Sequence, residues 1–385
     1  MKQVTTKPNL FVVDTPYQLL NAIEAVHSLQ LTNNHLVVVR PTNLYNDRFM
    51  PLIKASDWVT VSFPSLFIYG RPRVDQLLGR IGGRWYYRYV HFQRMRTMAK
   101  LAARLRDVDK LFLGHYYAEE KRFMRHIANT IKHNTLYLLD DGTDTIFIND
   151  RRHKTDSSDR KAPTKTGASW TSVAKTIKTH LRTKYWHWYL AEAPRVTFFT
   201  IYDLDVRKGD RLIRNNYSYL RNVVPLRHTH MPDTVIFLGQ CIAEGYFEID
   251  VHFAFLSKIR KYFAKEKIIY VAHPRESASC IARIREQLHC ELWPSSSIIE
   301  YDLIVQGVKP KVVAGFVSSA LITLAHLMEP DVEIVCFHVA PESWMRWRDD
   351  AAGVYDYLKT KAQQRVTIVP LSMRENECGS PLPSD

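Results

Sequence analysis

The sequence has no uninterrupted apolar run of the roughly 18–20 residues that cross a bilayer. The nearest approach, Val312 to Met328, is broken by Ser318, Ser319, Thr323 and His326. The first ten residues, MKQVTTKPNL, hold no apolar segment long enough for a secretory signal. Glycine and proline are scarce, 14 and 18 in 385 residues, which excludes a fibrous chain. Cysteine is scarcer still. Cys241, Cys280, Cys290, Cys336 and Cys378 form no CxxC pair, which argues against a disulfide framework or zinc ribbon and suits a reducing compartment. Against a hydrophobic fraction of 46%, these absences leave a globular, non-spanning, cytoplasmic protein as the expectation.

Acidic charge is in short supply only in the first half. The net charge is +14, yet Met231 to Asp385 carries 16 Lys and Arg against 20 Asp and Glu, a net of −4. Residues 1–230 therefore hold +18. Two stretches supply most of it, Gly70 to Lys110 and Arg151 to Trp188, each netting +8. Such asymmetry implies an anionic partner for the first half. No helix-turn-helix, RNP or zinc-finger pattern points to nucleic acid.

Apolar runs alternate with helical spacing along the whole chain. In the first half, short strands are expected at Leu10–Val13, Leu36–Val39, Leu111–Leu113, Leu136–Leu139 and Val196–Ile201, with a helix carrying Leu19, Leu20, Ile23 and Val26. Polar Arg151–Ala168 reads as a loop, and Trp170–Leu190 as a basic, aromatic helix. A second series runs through strands at Val235–Leu238, Ile268–Val271, Val312–Ala314 and Val332–Phe337, and ends in a helix, Trp347–Ala362. Strands alternating with helices imply parallel, doubly wound sheets. The expected architecture is α/β, two Rossmann-like domains facing a cleft, an acceptor-side domain over 1–230 and a donor domain over 231–385. No internal sequence repeat is visible.

Ligands of such sheets bind beyond the carboxyl ends of the strands. Those positions hold Asp140-Asp141-Gly142, Gly239-Gln240, His273-Pro274 and Gly315-Phe316-Val317-Ser318-Ser319, with Glu300 on a nearby segment. Each alone has an ordinary explanation: a turn, a strand end, or a helix cap. Together they make a chemistry. A serine pair at a helix N-terminus suits a phosphate, a histidine can protonate a leaving oxygen, and an aspartate can take a proton from an incoming hydroxyl. Base and acid on opposite faces of one carbon is the geometry of an inverting displacement.

At these motifs the chain resembles the bacterial sialyltransferases of the GT-B fold, glycosyltransferase families 52 and 38, with family 80 more distant. Asp140-Asp141-Gly142, His273-Pro274 and Ser318-Ser319 stand in the family's order, and the opening NLFVVDTPYQLLNAIEA is similar too. The resemblance implies Asp141, in preference to Asp140, as general base and His273 as general acid on the phosphate of a CMP-sialic acid donor. It implies Ser318 and Ser319 as phosphate-binding residues, Glu300 on the ribose, and Pro274, Gly239 and Gln240 against the nucleotide. Set beside this resemblance, the +18 of the first half points to an anionic glycan acceptor, lipooligosaccharide or capsular polysaccharide, and its basic, aromatic stretches to a peripheral place on the cytoplasmic face of the inner membrane; no metal or other cofactor is expected, since His228 and His230 lack a matching pair of ligands. Val271 stands where family 80 has a lysine. By analogy with family 52, Asp250 or Glu244 is the alternative base. Two other readings stay open: a metal-dependent transferase built on Asp203-Leu204-Asp205, and a non-catalytic binder of polyanions or membranes.

Overall fold

The computed structural model describes residues 7–39, 46–64, 107–117, 122–159, 191–225, 228–240, 246–346, 348–362 and 364–371, with shorter pieces between 86 and 105. Most of Gly70–Lys110, all of Trp170–Leu190, and Glu244, Cys241 and Cys378 lie outside the described residues. Two compact units divide the chain, Met1–Ser218 and Tyr219–Asp385. The sequence places this boundary at 230/231.

The first unit is built on seven strands, β1 (Asn9–Val13), β2 (Asn34–Val38), β3 (Thr60–Ser62), β4 (Asp107–Leu113), β5 (Lys132–Leu139), β6 (Thr197–Thr200) and β7 (Arg211–Arg214). All are parallel, in the order β3-β2-β1-β4-β5-β6-β7. The central strand β1 is buried at every residue, as expected where helices cover both faces. Across the sheet, Phe11, Phe112 and Tyr137 stack ring on ring at 4.2 and 4.4 Å. Among its helices are α1 (Pro16–Ser28), α2 (Asn46–Lys54), α3 (Arg122–Thr130) and α4 (Asp144–Asp159). α1 starts where it does because Thr15 caps it, accepting from Gln18 N–H, and Pro16 occupies the first turn.

α4 corrects one expectation. Arg151–Ala168 was to be a loop on composition, yet helix continues to Asp159. The polar sequence misleads because this helix is anchored by charge rather than by apolar residues. Arg152 is wholly buried, donates to both oxygens of Asp210 at 2.7 and 2.9 Å, and reaches Glu192 at 2.6 Å.

A short helix, α5 (Ser218–Val223), spans the division. The second unit holds β8 (Thr229–Leu238), α6 (Ile249–Tyr262), β9 (Lys267–Val271), α7 (Ala278–Leu288), β10 (Glu291–Leu292), α8 (Ile299–Val305), β11 (Val308–Gly315), α9 (Ser319–Leu327), β12 (Glu333–Val339), α10 (Arg348–Lys361) and β13 (Thr367–Leu371). Its six strands are parallel in the order β10-β9-β8-β11-β12-β13. β13 is a second correction: the chain does not close with the helix after Trp347 but returns to the sheet edge. Both sheets start at an inner strand, step outward, then cross back to its other side. The topology therefore repeats although the sequence does not. Each unit has its switch point at its first strand, between β1 and β4 in one and between β8 and β11 in the other. Among the described residues no helix is long and apolar enough to cross a membrane.

Candidate active site

In the first unit the carboxyl ends of β1, β4 and β5 bring Asp14, His115 and Asp141 together. Asp140 and Asp141 follow β5 in a turn that Gly142 closes at φ 61°, a backbone conformation that suits glycine. Their environments are opposite. Asp140 is wholly buried and accepts from Ile201 N–H at 2.8 Å; desolvation pushes its carboxyl up to about 7, against hydrogen bonds that pull it down. It is an interior group. Asp141 is half-buried with both oxygens held: Gln18 Nε2 donates to Oδ1 at 2.7 Å, and His115 Nδ1 meets Oδ2. The opposite ring nitrogen of His115, Nε2, lies 3.2 Å from Oδ1 of Asp14, which has no exposure at all.

Gln18 closes the arrangement, accepting from Asp14 N–H at 2.9 Å through Oε1. It lies where a side chain on Gly114 would be: a Cβ there would come within 2.0 Å of Gln18 Oε1. The sequence reasoning did not single out Asp14, Gln18, Gly114 or His115. The signal was present, since Asp14 and Gly114-His115 directly follow strands at the switch point.

In the second unit, β9, β8 and β11 are neighbours, and their carboxyl ends carry His273, Gly239-Gln240 and Ser318-Ser319. His273 is half-buried in the turn made with Pro274. Its backbone N–H donates to Glu276 Oε2 at 2.7 Å, and Glu276 Oε1 accepts from buried Tyr270 Oη at 2.7 Å. Arg275 N–H points at His273 Nδ1, 3.3 Å away. With Nδ1 accepting, the ring proton sits on Nε2. Gly239 is demanded by close approach: a Cβ there would stand 2.3 Å from Tyr270 Oη and 2.8 Å from the Val271 carbonyl. Gln240 keeps a buried Oε1 with no hydrogen-bond partner among the described residues.

Ser318 caps α9, its hydroxyl accepting from Ala320 N–H at 3.2 Å. Both serines are half-buried at the positive end of that helix. Glu300, in the first turn of α8, is 4% exposed and desolvation pushes its carboxyl up to about 7. Beside it Asp302 collects Ser296 N–H and Oγ–H and Ser297 N–H, which folds the serine-rich segment onto α8.

The competing residues are placed differently. Asp250 is a surface residue of α6, its carboxylate 89% exposed and 3.8 Å from Arg283. Asp203 and Asp205 are exposed after β6, where the Asp205 carbonyl accepts from Asn149 and His153. Among the described residues, a donor set able to hold a cation is His115, Asp141 and Asp144, with ligand atoms within 4.8 Å of one another; neither residue of the DxD pair is in it. A cavity of about 620 Å³, lined by His133, Asn134, Arg195 and Arg211 among others, opens at the amino ends of β5, β6 and β7, the edge away from Asp141.

Comparison with known proteins gives the following. No curated protein matches the chain in sequence. Among solved structures, an α/β-galactoside α-2,3-sialyltransferase from Photobacterium phosphoreum is 11% identical, over 94% of this chain and 99% of that one, with a TM-score of 0.48. A 2,6-sialyltransferase from Photobacterium sp. JT-ISH-224, solved with CMP and lactose, is 14% identical over 94% and 78%, at 0.43. A UDP-N-acetylglucosamine 2-epimerase reaches 0.46 at 8% identity over 93% and 89%, so this likeness does not single out an activity. The family model for alpha-2,8-polysialyltransferase does, matching residues 9–337, from the start of β1 into β12. With two parallel α/β sheets and a match over most of its length, the chain belongs to the alpha-2,8-polysialyltransferase family and is a sialyltransferase of the GT-B class.

Proposed function

We propose that the protein moves sialic acid from CMP-sialic acid onto the end of an anionic glycan, elongating it by inverting displacement without a metal ion. The observation that carries this is Asp141, a half-buried carboxylate fixed at both oxygens beyond the end of β5. It takes the proton of the acceptor hydroxyl. The freed electron pair attacks the anomeric carbon as its bond to the phosphate oxygen breaks. That carbon is tertiary and bears a carboxylate, so the transition state is oxocarbenium-like and charge grows on the phosphate. His273 Nε2–H, the Ser318 and Ser319 hydroxyls and the amino end of α9 are the groups that meet that charge. Glu300 takes the ribose, and Gly239 and Gln240 lie against the base.

Elongation is favoured over a single addition by the family's description and by the +18 of residues 1–230. A small anionic donor served by a net −4 half does not use that charge, whereas a polyanionic acceptor does. The same charge supports a peripheral position on the anionic cytoplasmic face of the inner membrane.

The test is transfer from CMP-sialic acid to an oligosialyl primer in EDTA, with products resolved by length. Elongation gives a ladder, single addition gives one band, and loss of activity restored by Mn²⁺ or Mg²⁺ defeats the metal-free reading. Asp141→Asn should abolish transfer and leave donor binding nearly intact. If Asp141→Asn is active while Asp250→Asn is dead, the base belongs to the second unit.

A further inference from the structure

We infer that Gln18 is a positioning residue: its side-chain amide fixes the direction in which the Asp141 carboxylate faces the acceptor hydroxyl. The inference rests on Asp141 being the base and adds α1 to the machinery that serves it.

By sequence alone, Gln18 has an ordinary role. Thr15-Pro16-Tyr17-Gln18 has the form of a capping box, in which a Glu or Gln three residues after the cap reaches back to the cap's own N–H. The structure keeps half of this. Thr15 Oγ1 accepts from Gln18 N–H at 3.2 Å, but the Gln18 side chain goes one residue further back, and its Oε1 accepts from Asp14 N–H at 2.9 Å. That bond fixes which way round the amide lies, so its NH2 group faces Asp141 and donates to Oδ1 at 2.7 Å. A cap needs only the oxygen, which glutamate has too. The NH2 group is what glutamine adds, and it goes to Asp141.

Asp141 needs an outside hold. The torsion that turns an aspartate carboxylate is broad and roughly two-fold, so the side chain does not choose its plane by itself. A donor on Oδ1 sets that plane and leaves the oxygen a second lone pair for the acceptor hydroxyl. The donor is itself held. Gln18 is wholly buried, and Asn21, one turn on along the same face of α1, reaches the Asp140 carbonyl at 3.4 Å and accepts from Asn215 at 2.8 Å. α1 thus grips the Asp140-Asp141 turn by backbone and by side chain. Gly114 is shaped to the amide: the three atoms nearest a Cβ there, at 2.0, 2.3 and 2.9 Å, all belong to Gln18. The Gly114 backbone is not in the left-handed region, so it is the space taken by Gln18 that calls for glycine.

Two variants disturb the amide in different ways. Gln18→Met, of similar length, removes the donor; Gly114→Ala keeps the amide and pushes it aside. Each should lower kcat for transfer about 10- to 100-fold, the scale of a reacting group displaced by about 1 Å. CMP-donor affinity and the acceptor KM should stay within about threefold, since the amide acts on Asp141 and on neither substrate. The decisive measurement is a cycle. With the amide gone, a Cβ at position 114 has no amide to displace, so Gln18→Ala/Gly114→Ala should turn over as fast as Gln18→Ala. An amide that merely caps α1 lowers the melting temperature of Gln18→Met and leaves kcat as it was. That result overturns the inference, and so does a Gly114→Ala cost in kcat that is as large in the Gln18→Ala chain as in the wild type. Folding is judged by melting temperature and CMP-donor binding. Should Gln18→Met not fold, Gln18→Asn, whose shorter side chain does not span from Asp14 to Asp141, takes its place under the same criteria. Failure of the underlying reading shows separately, as an active Asp141→Asn.

Discussion

Replacing Glu276 by alanine should unsettle His273, the acid of the proposed mechanism, without touching the substrate. Glu276 joins two things: the hydroxyl of Tyr270, a residue 1% exposed, and the backbone N–H of His273, both at 2.7 Å. Hydrogen bonds to a charged partner contribute about 1.5–3 kcal/mol each. Burial opposes this, since desolvation raises the Glu276 carboxyl above its ordinary value. A net loss of about 2–3 kcal/mol is expected, and the second unit should melt about 4–12 °C lower at roughly 2–4 °C per kcal/mol. The turn survives in part, because Glu276 N–H still donates to the His273 carbonyl. What is lost is the tether on the histidine backbone. A shift of about 1 Å there lowers kcat about 10²-fold, with donor affinity nearly unchanged. Tyr270→Phe is the control. It removes one of the two bonds and leaves the His273 tether, so it should lower the melting temperature but keep kcat within about threefold. Melting curves and steady-state rates at saturating donor measure both quantities. The reasoning is refuted if Glu276→Ala melts early yet turns over normally, or if Tyr270→Phe loses as much kcat.

Two further outcomes follow from charge. Asp140 and Glu300 are both raised to about 7, so between about pH 4 and 7 the folded chain keeps protons that the unfolded chain has released. Stability should be greatest below that window and fall as pH rises through it, by about 4 kcal/mol for Asp140 and about 3 kcal/mol for Glu300 if the full difference is expressed; Asp140→Asn and Glu300→Gln should each flatten the curve in denaturant titrations. Changing four or five basic residues of Gly70–Lys110 and of Arg151–Trp188 to Gln should raise KM for a long anionic acceptor and flatten its salt dependence, while a short neutral acceptor is used as before; equal effects on both acceptors would leave these stretches as ordinary surface.

The alternation of apolar runs with helical spacing was enough to give two parallel α/β units and the positions of their inner strands. Buried strands such as NLFVV declare themselves, because only a strand covered on both faces needs five consecutive apolar or buried residues. The edge strands did not. RLIR in β7 and TVS in β3 are half-exposed and carry no such run, and only pairing with a neighbour makes them strands. Likewise, a polar helix anchored by a buried arginine leaves no hydrophobic period to read.

The site divides in the same way. The turn, cap and close-approach residues Asp140-Asp141-Gly142, Gly239, His273-Pro274 and Ser318-Ser319 follow strands, and local order along the chain places them at a sheet edge. Which carboxylate of the pair is interior and which is presented could not come from the dipeptide; it depends on Ile201, the residue following β6, donating its N–H to Asp140. Asp14 and Gln18 are about a hundred residues or more from His115 and Asp141 in the chain, and they meet because β1 lies between β2 and β4, with β5 next. Strand order is a long-range property: sequence determines that each strand exists, and tertiary pairing determines whose ends share a site.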